Sequence, residues 1–246
     1  MVRTQVLTAI GAAFVALVIA IGCGGADESR APSSRTASVP APAAAPATQS
    51  PPAPARTTPA PQRPRIVFLG DSLTAGYGLT KDQSVPSLIA ARLAGMGLDY
   101  EVVNAGVSGD TSAGGLSRLD WSLDGPVRVL VVELGANDGL RGLSVQGMRD
   151  NLDAIIRRAL DRGIRVVLTG MEAPPNYGEA YTNEFRAVFR DLAAKHAVTF
   201  VPFYLEGVAG DPRLNIADGI HPNPEGARIV EQTIWRALAP LLSETE

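Results

Sequence analysis

The chain holds one cysteine, two histidines and only 5% aromatic residues among its 246. With Cys23 alone, disulfide frameworks and cysteine-ligated zinc or iron–sulfur centres are excluded. One candidate histidine among scattered carboxylates gives no recognisable ligand set, so no metal is expected. A basic surplus is missing as well. The chain has 22 Lys and Arg against 25 Asp and Glu, and 5 and 2 of these precede Arg65, leaving 17 against 23 and a formal charge of −6 over residues 65–246. Nucleic-acid binders carry the opposite sign, and no nucleic-acid partner is expected. Neither the Gly-Lys-Ser/Thr ending of a phosphate loop nor the Rossmann glycine spacing follows the first candidate strand, so no nucleotide or other cofactor is expected either.

Large apolar residues are nearly missing between Pro32 and Pro64, where 10 of the 19 prolines fall among Ala, Ser and Thr. Such a segment cannot bury enough surface to offset its ordering entropy, which makes residues 24–64 a disordered linker and residues 65–246 the one folded domain. Ahead of the linker, Arg3 gives a short positive start and Val6 to Ile21 an uncharged apolar run of signal-sequence length. Ala20-Ile21-Gly22-Cys23 resembles the lipobox of bacterial lipoproteins. That resemblance implies a signal over residues 1–23, lipid on Cys23, and an exported domain, periplasmic or at the cell surface, anchored to a bacterial membrane; an ordinary cleaved signal or an uncleaved anchor, with Cys23 incidental, stays open as the alternative.

Within the domain, short β-branched runs alternate with helical patterns. Arg65–Gly70, Tyr100–Asn104, Val127–Leu134, Ile164–Gly170 and Val198–Pro202 read as five buried strands. Ser84–Met96, Ser112–Leu123, Ser144–Arg162, Tyr177–His196 and Asn223–Leu242 read as helices. Near-continuous apolar strands separated by helices predict an α/β fold, a three-layer αβα sandwich on a five-stranded parallel sheet. Ligands of such sheets bind outside the carboxyl ends of the strands. There the sequence places Gly70-Asp71-Ser72-Leu73 after the first strand, Asn104-Ala105-Gly106 after the second, Gly135-Ala136-Asn137-Asp138 after the third and Asp218-Gly219-Ile220-His221-Pro222 after the fifth.

These residue types suit ester cleavage. A serine hydroxyl becomes a nucleophile when an imidazole takes its proton, and a carboxylate fixes the imidazole's tautomer and steadies its charge. Ser72, His221 and Asp218 fit those roles, provided a turn brings Asp218 round to the ring. Asn223 as a helix cap with Pro224 in the first turn would hold His221 rigidly. Donors for the developing oxyanion would be the Ser72 and Gly106 backbone N–H groups and the Asn137 amide. Each residue alone has a structural reading: Ser72 as a cap, Asp218 and His221 as a turn, Gly106 as a tight bend, Asn137 and Asp138 as loop residues. Independent structural causes would not gather them all after successive strands. Asp71 reads as a cap or turn residue, and His196, at a helix end, as a group suited to the dipole.

In order, Gly70-Asp71-Ser72-Leu73, Gly106, Gly135-Ala136-Asn137-Asp138 and Asp218-Gly219-Ile220-His221-Pro222 resemble the four motif blocks of the GDSL or SGNH serine esterases. Thr74-Ala75-Gly76-Tyr77-Gly78, Val107-Ser108-Gly109-Asp110-Thr111 and Pro174-Pro175-Asn176-Tyr177-Gly178 make the chain most similar to the thioesterase I, lysophospholipase and arylesterase branch. The resemblance implies a flavodoxin-like sheet, a triad of Ser72, Asp218 and His221, and an oxyanion hole of Ser72, Gly106 and Asn137. It implies a small-molecule ester, thioester or lipid substrate, handled by a monomer through an acyl-enzyme. Two alternatives stay open: a deacetylase of acetylated carbohydrate with the same mechanism, and a non-catalytic binding module on a tether. Met171-Glu172-Ala173 stands where some relatives are more apolar, which bears on acyl-chain preference.

Overall fold

The structure, a computed structural model, describes residues 62–243. The expected signal, Cys23 and all but the last three residues of the expected linker lie outside these residues.

Strand β1 (Arg65–Gly70) leads through a four-residue helix α1 (Ser72–Ala75) into α2 (Val85–Gly95). Next come β2 (Glu101–Gly106), α3 (Ser112–Ser117), α4 (Leu119–Ser122) and β3 (Val127–Glu133). After α5 (Ala136–Leu140) and α6 (Val145–Leu160) the chain passes through β4 (Arg165–Thr169), α7 (Glu179–His196), β5 (Thr199–Val201) and α8 (Pro224–Ser243). All five strands are parallel, in the order β2-β1-β3-β4-β5. This is the flavodoxin-like order, in which the chain reverses its direction of travel across the sheet between β1 and β3. The expected fold class is therefore observed.

The central strands are enclosed on both faces, with Ile66 to Leu69, Val129 to Val132 and Val166 to Leu168 all in the core. One layer is α2 against α8; α3, α6 and α7 form the other. Helix α6 buries Val145, Met148, Leu152, Ile155, Ile156 and Ala159, the three- and four-residue spacing of a single apolar stripe. Arg92 clamps Glu231 with two bonds of 2.6 and 2.8 Å, fastening α2 to α8.

Two local differences from the sequence reading matter for the site. The expected helix Ser112–Leu123 is broken at Arg118, whose backbone leaves helical geometry (φ −107°) while its guanidinium reaches the strand ends. Short helices α1 and α5 also lie outside the five expected helices, being too brief for periodicity to register. Among the described residues no helix is long and apolar enough to cross a membrane.

Candidate active site

The turn bearing Ser72 is built by its neighbours. A side chain on Gly70 would sit 2.0 Å from the Thr74 hydroxyl and 2.7 Å from Glu133 Oε2, so the strand can pass close under α1 only as glycine. Asp71 caps α1, its Oδ1 accepting the Leu73 N–H at 3.0 Å, which is the structural role its sequence position suggested. Gly76, in the left-handed region (φ 82°), ends the helix one turn later. Ser72 is thus the first residue of a short helix at the carboxyl end of β1, and its backbone N–H meets no acceptor among the described residues.

His221 arrives from the loop before α8. Its Nε2 lies 2.8 Å from Ser72 Oγ, and its Nδ1 lies 2.7 Å from Asp218 Oδ2. The turn required between Asp218 and His221 is present: Asp218 Oδ1 accepts the backbone N–H groups of Ile220 (2.9 Å) and His221 (3.1 Å), with Gly219 at φ 72°. Those two N–H groups, then the His221 ring, hold the Asp218 carboxyl down to about 2, so it is ionised at neutral pH. Asn223 caps α8 as its position implied, its Oδ1 accepting from Glu225 and Gly226 at 3.0 Å each. Tyr77 packs its ring 4.7 Å from the imidazole. With Nδ1–H donated to a carboxylate, Nε2 is left to accept the serine proton.

Asn137 lies in the first turn of α5, beyond β3, and its amide donates to Asp71 Oδ2 at 3.0 Å. One amide hydrogen is thereby fixed and the other is free for a ligand. Gly106 is placed differently from the sequence reading. It is the last residue of β2, its N–H donates to Asn104 Oδ1 at 3.0 Å, and a Cβ there would lie 2.3 Å from the Ala75 nitrogen. Its lack of a side chain answers a close backbone approach, and its N–H is already engaged. Gly109, three residues on, has an N–H without an acceptor among the described residues; its carbonyl takes Arg141 at 2.8 Å, which holds the loop beside α5. His196 closes α7 with Nε2 2.8 Å from Asp153 Oδ1, remote from Ser72 in its partners.

Three residues to which the sequence reading assigned no role support the site. Arg118 donates to the carbonyls of Gly70 (2.8 Å) and Ala105 (2.6 Å) and pairs with Asp110 (2.6 Å), binding the ends of β1 and β2 together. Asn104 reaches the Thr74 carbonyl at 3.0 Å. Glu133, fully enclosed, accepts from Thr74 and from the Asp71 N–H. Only the polar character of Arg118 and Asn104 next to motif residues, and the glutamate closing an apolar strand, could have signalled them.

Beside the serine lies a cleft of about 440 Å³. Leu73, Ala136 and Ile220, each adjacent in sequence to a candidate site residue, line it together with Leu140, Met171, Ala173, Pro174 and Pro175. Glu172 stands at its wall with the carboxylate gripped by Arg186 at 2.6 to 2.9 Å. No three His, Cys, Asp or Glu side chains converge as metal ligands among the described residues.

Comparison with known proteins places this geometry in context. A profile of the GDSL-like lipase/acylhydrolase family matches residues 68–229. The esterase TesA of Pseudomonas aeruginosa is 43% identical over 178 residues, covering 72% of this chain and 89% of that protein. An arylesterase of Vibrio mimicus is 42% identical over 175 residues, covering 71% and 88%. The solved structure of the esterase EstA from Pseudoalteromonas sp., inhibited by monoethylphosphonate, superposes with a TM-score of 0.69 at 31% identity, covering 73% of this chain and 99% of that one.

Proposed function

The chain belongs to the GDSL-like lipase/acylhydrolase family and is an ester or thioester hydrolase, and from that premise we propose that Ser72 is its nucleophile, His221 its general base and Asp218 the carboxylate that orients the base. The observation that carries this reading is the unbroken chain of contacts from Ser72 Oγ through His221 to Asp218, at 2.8 and 2.7 Å. Attack of Ser72 Oγ on the acyl carbon passes the hydroxyl proton to Nε2, and the resulting imidazolium is steadied by the ionised Asp218. The same proton then leaves on the alcohol or thiol, giving an acyl-enzyme. A water, deprotonated by Nε2, releases the acid and restores the serine.

The oxyanion formed in each half-reaction is met by the free Ser72 N–H at the start of α1 and by the second hydrogen of the Asn137 amide. Gly106 was the third expected donor. Its N–H serves only by leaving Asn104, whereas the Gly109 N–H in the same loop is uncommitted and takes the third place more readily. The apolar cleft beside Leu73 receives the acyl chain, favouring aryl and short acyl esters, lysophospholipids or acyl thioesters over acetylated sugars. Release of p-nitrophenol from a short acyl ester tests the assignment: Ser72→Ala should abolish it and should lose labelling by an organophosphonate. Labelling of another serine would overturn it.

The proposal extends to the N-terminus. Residues 1–23 direct export and leave Cys23 as the lipid-bearing first residue, residues 24–64 form the tether, and the domain from Arg65 acts as a monomer outside the cytoplasm. Arg3, the apolar run Val6 to Ile21, the Gly22-Cys23 junction and the proline-rich stretch support this reading.

A further inference from the structure

Glu133 closes β3, and its side chain lies under the turn that carries Ser72. Oε2 accepts the Thr74 hydroxyl at 2.8 Å and the N–H groups of Thr74 and Asp71 at 3.3 Å each. Oε1 is buried and has no conventional donor. Next to it in the same enclosure, joined through its own backbone N–H to Oε2, is the buried Asp71, whose carboxyl accepts the Leu73 N–H on one oxygen and the Asn137 amide on the other, so that both its oxygens are taken while Glu133 Oε1 is not. Two neighbouring carboxylates out of water cannot both ionise at small cost, whereas one neutral acid donating to one carboxylate satisfies both.

We propose that Glu133 is a positioning residue for ester cleavage, a neutral acid that donates to Asp71 so that Asp71 fixes the Asn137 amide and the Ser72 turn. The inference rests on the roles given above to Ser72 and Asn137. The electrostatics agree with the geometry. Burial first, then the charge of Asp71, pushes the Glu133 carboxyl well above its usual range. Burial raises Asp71 too, against the Leu73 N–H, Glu133, Asn137 and His221; with both Asp71 oxygens already accepting and Glu133 Oε1 without a donor, the oxygen open to carry the proton is on Glu133. Thr74 from α1, the Tyr204 phenol after β5, Asn137 from α5 and His221 before α8 are the other polar groups facing this pair. An amide tied by one hydrogen to a fixed acceptor cannot rotate, so its other hydrogen is aimed before the oxyanion forms and needs no reorganisation.

The test is steady-state hydrolysis of a p-nitrophenyl ester by the full chain, with kcat counted per site titratable by an organophosphonate. Glu133→Ala should lower kcat by about 10- to 100-fold, less than outright loss of an oxyanion donor, with KM nearly unchanged. Glu133→Gln, which keeps an acceptor for Thr74 and a donor for Asp71, should recover most of that loss. If Glu133→Gln were as impaired as Glu133→Ala, or if Glu133→Ala lowered only the number of titratable sites, the proposal would be overturned. Should Glu133→Ala fail to fold, Glu133→Gln decides alone, since an ionised glutamate could not be replaced by an amide without loss. Activity persisting in Ser72→Ala would instead defeat the assignment of the nucleophile, a separate result.

Discussion

Replacing Gly106 by alanine adds a single methyl group and keeps the backbone N–H, which makes its consequences readable. The new Cβ would lie 2.3 Å from the Ala75 nitrogen, 2.7 Å from its Cα and 2.8 Å from the Thr74 carbonyl carbon, all backbone atoms of α1. Restoring ordinary contact needs a displacement of about 1 Å between β2 and α1, and α1 is four residues long with Ser72 at its start. A movement of that size takes the Ser72 to His221 contact from 2.8 Å to beyond hydrogen-bond range. Misplacement of about 1 Å costs on the order of 10²-fold in rate, and overpacking costs about 1–3 kcal/mol of stability. For a domain of this size that is a Tm lower by roughly 2–12 °C. Thermal denaturation and p-nitrophenyl ester turnover, run on the same preparation, measure both quantities. An alanine variant with unchanged Tm and kcat would show that β2 and α1 are not in rigid register, and the account of how the nucleophile is placed would fail.

Asn137→Ala removes one oxyanion donor and should lower kcat on the order of 10²- to 10³-fold; a raised KM with unchanged kcat would place the amide in ground-state binding instead. Asp218, held at about 2, has a folded value below the ordinary 3.8, so its contribution to stability is present above that value and is lost as pH falls toward about 2. Its ionisation should therefore leave no mark on activity between pH 5 and 8, while Asp218→Asn should cut kcat by several orders of magnitude with KM little changed, and His196→Gln should leave the pH profile alone. Cys23→Ser should block lipidation and release the protein from the membrane fraction; mass spectrometry finding an unmodified mature N-terminus downstream of Cys23 would refute the anchor and leave the hydrolase assignment intact.

The sheet was legible because its strands are buried on both faces. Runs such as Ile66-Val67-Phe68-Leu69 and Val129 to Val132 have one reading in a chain that also supplies amphipathic helices between them. The candidate site was legible where chemistry demands a residue type, at Ser72, Asp218, His221 and Asn137. It was less so at Gly106, because a glycine's sequence neighbours do not tell whether its N–H points at a ligand or at Asn104. Glu133 was hidden for a different reason: a carboxyl at the end of an apolar strand looks like a surface residue, and only its enclosure against Asp71 and Thr74 gives it meaning. Arg118 acts across 48 residues on Gly70, a separation no local pattern records.

The two halves of the site are fastened by different means, and this governs what substitutions will do. Ser72 and Asn137 rest on buried groups: Gly70, Asp71, Thr74 and Glu133 fill one enclosed volume at the switch between β1 and β3, where any change meets backbone or a desolvated charge. His221 and Asp218 rest on a more exposed loop organised by side-chain amides. Asn215 donates to the carbonyls of Val208 and Asp211 at 2.8 Å, Ile216 N–H reaches the His221 carbonyl at 2.8 Å, and Asn223 bonds the Arg213 carbonyl at 2.6 Å. Loss of a partner in the first half therefore moves stability and turnover together. Around the exposed Asp218, Gly219 and Ile220 solvent can replace a lost bond, so turnover falls while the fold holds, the buried Asn215 being the exception. The imidazole, the one group that must gain and lose a proton in every cycle, is thus carried by the half that can relax, and the Ser72 and Asn137 donors, which must not move, by the half that cannot.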